Sequence, residues 1–224
     1  MRDLTLAYVP GTHAVHILDL GCGTGGLAFR IAEALPLARV TGIDISPANI
    51  AAAESSRNAW PSAGRVRLQV ADYLAYETPP VDAIVSDTVL HFVRGGPERL
   101  WTKLAHDLRP GGVLVCCMAY DGFHNRATRL VRRALRAVHC RPLDVVLLTV
   151  GRIVYGRAMD VDRLRERTAY MYIPPEQMMT PAIMRTLAPS LGLRLIAEHA
   201  VESTSLTQLK QRATVFVKEE RPGA

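Results

Sequence analysis

A glycine-rich turn directly after an apolar segment is the part of this sequence best suited to chemistry. Residues 15–20, Val-His-Ile-Leu-Asp-Leu, lead into Gly-Cys-Gly-Thr-Gly-Gly at 21–26, and a helix-like segment, Leu27 to Leu35, follows. Such a turn brings backbone close to a ligand without interference from Cβ atoms, and the helix start behind it has free N–H groups. The spacing of Gly21, Gly23 and Gly26 also satisfies the dinucleotide-binding fingerprint. The glycines alone therefore leave a nicotinamide enzyme open.

Acidic residues lie at the ends of three predicted strands. Asp19 lies two positions before the glycine turn, Asp44 ends a buried strand at 39–45, and Asp72 follows a third strand at 66–71. A carboxylate in the position of Asp44 can accept hydrogen bonds from both hydroxyls of a ribose. The alternative is a structural role, in which Asp44 caps the helix that begins near Ser46-Pro47.

The pattern Asp19-x-Gly21-Cys22-Gly23-x-Gly25 resembles the first motif of the class I S-adenosylmethionine-dependent methyltransferases. A nicotinamide enzyme accounts for the glycines and Asp44, but not for Asp19, Asp72 and the Pro110-Gly111-Gly112 turn together. The resemblance covers residues 15–118. Within this family, the overall pattern is similar to that of the ubiquinone and menaquinone methyltransferases. It implies S-adenosylmethionine as cofactor, released as S-adenosylhomocysteine. The implied cofactor-binding residues are Asp19, Gly21, Cys22, Gly23, Gly25, Asp44, Ile45, Asp72, Tyr73 and Ser86.

The elements that must position these residues alternate between strand and helix from Val15 to Met118, which predicts parallel βαβ units with helices on both faces of the sheet. Two further strands are predicted at 193–198 and 212–218. The resemblance implies an α/β, doubly wound, seven-stranded and mainly parallel sheet of order 3-2-1-4-5-7-6, with the last strand antiparallel. We expect one domain over residues 1–224.

A long insertion separates the fifth and sixth predicted strands. Residues 120–180 are predicted to form a helical lid over the carboxyl edge of the sheet, because excursions there are often functional. Since only about fourteen residues precede the first strand, we expect this lid to supply the acceptor pocket. Residues 125–139 predict an amphipathic helix with an arginine face, which is either solvated or an anion site.

Methyl transfer from a sulfonium is an in-line displacement, so the protein mainly aligns the acceptor and excludes water. A general base is needed only if the acceptor must lose a proton. His91, in the loop after the fourth strand, is the candidate base; the alternative is a structural hydrogen bond. The candidate substrate-binding residues are Asp87, His91, Tyr120, Arg129, Arg133, Tyr170 and Tyr172. No metal is predicted, because Asp121 and Asn125 are four positions apart, whereas catechol-type methyltransferases have this acid and Asn adjacent.

Composition narrows the function classes. The chain has 224 residues and a net charge of +6, no apolar run of transmembrane length, no signal-peptide layout at its start, and four cysteines without metal or redox spacing. These features favour a cytoplasmic enzyme with a small-molecule substrate, and a homodimer remains open. Two alternatives stay: an RNA or protein methyltransferase, suggested by the basic charge, and a cofactor-binding subunit whose active site a partner chain completes.

Overall fold

The computed structural model describes residues 1–155, 161–201 and 208–220. Its centre is a seven-stranded sheet of order β3-β2-β1-β4-β5-β7-β6. The first five strands pair in parallel, and β7 is antiparallel to both β5 and β6. This confirms the predicted sheet. The strands are β1 His16–Leu20, β2 Arg39–Asp44, β3 Val66–Val70, β4 Val81–Asp87, β5 Leu108–Ala119, β6 Leu193–Val201 and β7 Gln211–Lys218.

Helices connect these strands along both faces of the sheet. Glycine at the start of α2 and Ser46-Pro47 at the start of α3 match the residues preferred at helix N-termini, and the Ser46 hydroxyl accepts from the amide of Asn49 at 3.3 Å. The helices are α1 Arg2–Tyr8, α2 Gly26–Ala34, α3 Pro47–Ser56, α4 Gly96–Asp107, α5 Phe123–Ala137, α6 Arg141–Tyr155 and α7 Val161–Tyr170. A π-helical turn, Ile183–Leu187, precedes β6.

The sheet separates two apolar cores because successive residues of a strand face opposite sides. On β5, Val113 and Val115 pack with α2, whereas Leu114 and Cys116 pack with α4. Phe29 anchors the first core and Trp101 the second, and both side chains are fully buried. The strands are therefore apolar on both faces, as expected of a parallel sheet covered by helices.

The segment that follows β5 returns to the carboxyl edge of the sheet. Hydrogen bonds hold its last residues to the end of β5 and to the loop after β4. The amide of Met179 donates to the carbonyl of Ala119 at 2.7 Å, and the amide of Glu176 donates to the carbonyl of His91 at 2.8 Å. The residues before β1 also form structure, since Thr5 of α1 is fully buried. None of the helices in the described ranges is long and apolar enough to cross a bilayer.

Candidate functional site

Three glycines shape the turn after β1. Gly21, Gly23 and Gly25 all have positive φ, at 74°, 54° and 79°, which disfavours any residue with a Cβ. A Cβ at Gly21 would lie 2.3 Å from a methyl of Val89, so this glycine is also required by packing. A Cβ at Gly23 would meet no protein atom within 4 Å. The space above Gly23 is therefore free for a ligand to approach the backbone.

Asp19 is a buried carboxylate without a full set of partners. It is 1% exposed, and its Oδ2 has no hydrogen-bond partner. Burial, with a smaller contribution from the charge of Asp87, raises the pKa of Asp19 to about 7. A buried acceptor of this kind is costly unless something binds to it. A cationic hydrogen-bond donor in the site would satisfy Oδ2 and stabilise the ionised form.

Asp44 joins the glycine turn to the start of α3. Its Oδ2 accepts from the amide of Gly23 at 2.9 Å, and its Oδ1 accepts from the amide of Ser46 at 2.8 Å and from Asn49 Nδ2 at 3.2 Å. The structural role considered for Asp44 is therefore present. Each carboxylate oxygen has further acceptor capacity, so binding of a ribose remains compatible with these contacts.

A cavity of about 440 Å³ opens beside these groups at the carboxyl ends of β1 to β4. The sequence-based set contributes Gly21, Asp44, Ile45, Asp72 and Tyr73 to its wall. Sequence reasoning missed four residues after β4, although they follow directly on a predicted strand end: Val89, Phe92, Val93 and Arg94. Thr88, just before them, has a φ of 65°, an uncommon conformation for a residue with a branched Cβ.

Three members of the predicted cofactor set have buried side chains engaged elsewhere. Ser86 Oγ donates to the carbonyl of Leu20 at 3.0 Å, which ties β4 to the end of β1. The thiol of Cys22 lies in the core beside Gly42, and burial raises its pKa. The ring of Tyr73 lies 5.0 Å from Lys103 Nζ, and burial raises the pKa of its hydroxyl.

His91 is enclosed rather than exposed to the cavity. Its side chain is 1% exposed, its ring centre lies 4.2 Å from that of Phe92, and its Nδ1 has no hydrogen-bond partner. Burial, together with the nearby charge of Arg132, lowers the pKa of His91 to about 3. The imidazole is therefore neutral at physiological pH.

A second cavity, of about 610 Å³, lies between α4, α5 and the segment 176–190. Arg129 lines it. Arg129 Nη2 donates to the carbonyl of Glu176 at 2.9 Å, and its buried Nε has no hydrogen-bond partner. Arg133, the other arginine predicted to bind substrate, is exposed. The structure thus distinguishes two arginines that the sequence treats alike.

The remaining candidate substrate residues do not converge on one point. The ring of Tyr120 lies 4.7 Å from the guanidinium carbon of Arg212, and the hydroxyl of Tyr172 donates to Asp144 at 2.7 Å. Tyr170 is exposed, with its ring 6.4 Å from that of Phe92. Burial raises the pKa of Asp87, which ends β4 next to the glycine turn. Only Asp87 lies near Asp19.

The residues considered for a metal have protein partners. Asp121 forms a two-point ion pair with Arg126, and Asn125 Nδ2 donates to the carbonyls of Tyr120 and Lys210 at 2.6 and 2.7 Å. Among the described residues, no group of three acids, histidines or cysteines is arranged to hold a metal ion.

Comparison with known proteins agrees with this geometry. Residues 18–114, from β1 to the middle of β5, match the family described as methyltransferase domain. This part of the chain is therefore similar to methyltransferase domains. It contains the glycine turn, Asp44, Asp72 and the loop that carries His91.

About half of the chain is similar to two curated enzymes. The trans-aconitate 2-methyltransferase of Streptomyces avermitilis is 42% identical over 120 residues, which are 52% of this chain and 43% of that protein. The enzyme of the same name from Paracidovorax citrulli is 39% identical over 113 residues, which are 50% and 42% of the two chains. The match therefore spans less than half the length of either relative.

The whole fold is also that of solved methyltransferases. The N-methyltransferase NodS of Bradyrhizobium japonicum, solved with S-adenosylhomocysteine, superposes with a TM-score of 0.56 over 98% of this chain and 86% of its own. The sequences are only 17% identical, so this likeness concerns the fold alone. It confirms the class I architecture for the strands outside the matched domain, β6 and β7 included.

Proposed function

We propose that this protein is an S-adenosylmethionine-dependent methyltransferase that acts on a small molecule bearing a carboxylate. The observation that carries the proposal is the unpartnered, buried Oδ2 of Asp19 beside an open glycine turn. S-adenosylmethionine carries an α-ammonium group and a sulfonium, and it supplies an activated methyl group when bound. An ammonium fits a carboxylate that lacks a partner.

Charge and shape along the cavity support the same cofactor. Asp44 would accept from the ribose hydroxyls, and Asp72 with Ile45 would flank the adenine, since all three line the 440 Å³ cavity. Ile45 is 71% exposed and lines the cavity, so its apolar side chain is available to cover a flat ring. Three carboxylates, Asp19, Asp44 and Asp87, near one turn suit a positively charged ligand.

The proposed acceptor class rests on the weakness of the candidate general base, His91. A carboxylate is already ionised at neutral pH, so its oxygen can attack a methyl group without prior loss of a proton. A neutral His91 with a pKa near 3 is a weak base, which suits an acceptor of this kind. Arg129, with its unpartnered Nε, would hold a second anionic group of the acceptor. The names of the curated relatives, which specify trans-aconitate, point to the same class.

One binding experiment and one assay test this function. Calorimetry with S-adenosylhomocysteine should give saturable binding that Asp19→Asn weakens. Transfer of a labelled methyl group should then be measured with trans-aconitate, other di- and tricarboxylates, and matched amines and phenols as acceptors. Cofactor binding without transfer to any carboxylate would refute the acceptor class alone. Absence of cofactor binding would refute the whole proposal.

We also propose a cellular location for the enzyme. All four cysteines, Cys22, Cys116, Cys117 and Cys140, are free thiols, and three of them are buried. Free thiols suit the reducing cytoplasm, so we place the enzyme there.

A further inference from the structure

Helix α5 presents its polar side to the protein and its apolar side to solvent. Asn125, Arg129 and Arg132 face inward and donate to the carbonyls of Lys210, Glu176 and Ile173. At 100° per residue, the residues on the opposite side of the helix are apolar. Four large side chains there are mostly exposed: Phe123 (90%), Leu130 (66%), Val131 (54%) and Val138 (63%).

Helix α6 also presents large apolar side chains to solvent. Its inward residues include Gly151, where a Cβ would lie 2.7 Å from a methyl of Leu164 in α7. Its outward residues follow helical spacing and are again large and apolar. They are Val145, Val146, Val150 and Ile153, each at least half exposed. Exposed apolar side chains occur singly on most proteins, whereas here eight of them, called the patch below, lie within 31 residues on the outer sides of two consecutive helices.

The charge around the patch identifies the occupant. Residues 123–155 contain seven arginines and one acid, Asp144, and this acid accepts from the hydroxyl of Tyr172. Arg133, Arg136, Arg141 and Arg152 are exposed on the two helices. A second copy of the chain on this patch would bring like charges together, which disfavours self-association. An apolar stripe flanked by arginines is instead the composition of helices that lie in the interface of anionic bilayers.

We infer that the outer face of α5 and α6, the α5–α6 face, binds the surface of membranes that contain anionic lipids. This inference is independent of the acceptor. It concerns attachment in the plane of the interface, with Phe123, Leu130 and Ile153 inserted among the lipid head groups and arginines on the phosphates. The 440 Å³ cavity beside Gly21 and Asp44 is not part of this face.

Vesicle flotation with the full chain tests the inference. Binding should occur to vesicles of phosphatidylcholine with phosphatidylglycerol, should be weak on phosphatidylcholine alone, and should fall as salt is raised. Leu130→Gln should weaken binding on the order of tenfold through loss of the apolar contact. Arg141→Gln, one turn before Val145 on α6, should weaken it about fivefold through loss of one charge.

Matched variants elsewhere on the surface control for general effects. Leu37→Gln removes an exposed leucine, and Arg30→Gln removes an exposed arginine, from regions distant in sequence from the α5–α6 face. Both should leave vesicle binding unchanged. Ile153→Gln, on α6, provides a second test should Leu130→Gln alter the circular dichroism spectrum.

Three results would overturn the inference. They are absence of binding to the anionic vesicles at low salt, equal losses in the control and patch variants, and a dimer in light scattering that Leu130→Gln dissociates while vesicles are not bound. The last result would assign the face to a second copy of the chain.

Discussion

The amide of Glu176 donates to the carbonyl of His91 at 2.8 Å, and this bond joins the segment after α7 to the loop after β4. Gln177 strengthens the junction, because its Nε2 donates to the carbonyls of Leu90 and Val93 at 3.3 and 3.0 Å. Val93 lines the proposed cofactor cavity. We therefore expect binding in the cavity to be coupled, through the carbonyls of Leu90, His91 and Val93, to the proposed lid at residues 120–180.

Gln177→Ala tests that coupling. Loss of two hydrogen bonds to buried carbonyls should destabilise the protein by roughly 1–3 kcal/mol and accelerate hydrogen exchange of the amides at 89–93 and 176–179. In the parent protein, cofactor should slow exchange in both stretches and in the helices of the lid. Exchange in the lid equal to that in the core, and unchanged by cofactor, would contradict the idea of a lid.

Replacing the Asp19 carboxylate should have opposite effects on the stability of the protein and on cofactor binding. Its folded pKa of about 7 lies above the value of about 3.9 in an unfolded chain, so it stabilises the cofactor-free protein below pH 4, and this contribution is lost as pH rises to 7. Asp19→Asn should remove this slope and increase the free energy of unfolding at pH 8 by roughly 2–4 kcal/mol. The same variant should bind S-adenosylhomocysteine more weakly. Denaturant titrations at pH 4 and pH 8, with calorimetry, measure both effects; equal affinity in the variant would refute the ammonium assignment.

Asp44 has a structural role and a proposed ligand role that two variants can separate. Asn49→Ala removes one donor to Asp44 but keeps the carboxylate, whereas Asp44→Ala removes the carboxylate itself. Asp44→Ala should weaken cofactor binding by about 1.5–3 kcal/mol, the range for hydrogen bonds to a charged group. Asn49→Ala should have a much smaller effect. Similar losses in both variants, measured by calorimetry, would mean that Asp44 acts only by holding the turn.

The sequence could predict the sheet because its signals are local. Asp19, Asp44 and Asp72 each follow an apolar run, and in a parallel sheet such strand ends share one edge. Three of these predicted strands end within one residue of the expected position. The turn residues at Gly21 and Gly23 have the positive φ that their type suggested.

The orientation of α5 could not be predicted in the same way. Its periodicity defines an apolar and an arginine face, but it does not say which face is inward. Arg129 and Arg132 turn inward because carbonyls of Glu176 and Ile173, more than 40 residues away, accept from them. Arg129 and Arg132 are therefore not simply solvated, whereas Arg133 is exposed, and the choice between a solvated face and an anion site stays a prediction. Likewise, no sequence signal showed that Ser86 Oγ donates to the carbonyl of Leu20.

His91 predicts a specific dependence of rate on pH. Its folded pKa of about 3 lies below the unfolded value near 6.5, so the folded protein keeps His91 neutral as pH falls from 8 to 5. The contribution of neutral His91 to stability is present above pH 6.5 and is lost as pH falls from 6.5 to about 3. His91 should therefore not contribute a step near pH 6.5 to the pH dependence of methyl transfer. The pH profile of His91→Gln should have the same shape as that of the parent in this region. A placed general base contributes about 10²–10⁴-fold to the rate, and His91→Ala should lower turnover by less than this. A larger loss with unchanged cofactor affinity would restore His91 as the base.

Arg129 and Arg133 form a matched pair, one turn apart on α5 with different surroundings. Arg129 has a buried Nε without a partner in the 610 Å³ cavity, whereas Arg133 is exposed. If Arg129 binds a carboxylate of the acceptor, Arg129→Gln should raise the acceptor's KM about 10- to 100-fold, since a hydrogen bond to a charged group contributes about 1.5–3 kcal/mol. Cofactor affinity should not change, and Arg133→Gln should leave the KM near that of the parent. Steady-state kinetics with a dicarboxylate and with its monoester adds a second comparison, because the effect of Arg129→Gln should be smaller on the monoester. An equal rise of KM in both arginine variants would instead indicate a diffuse electrostatic effect of α5, without a defined carboxylate site at Arg129.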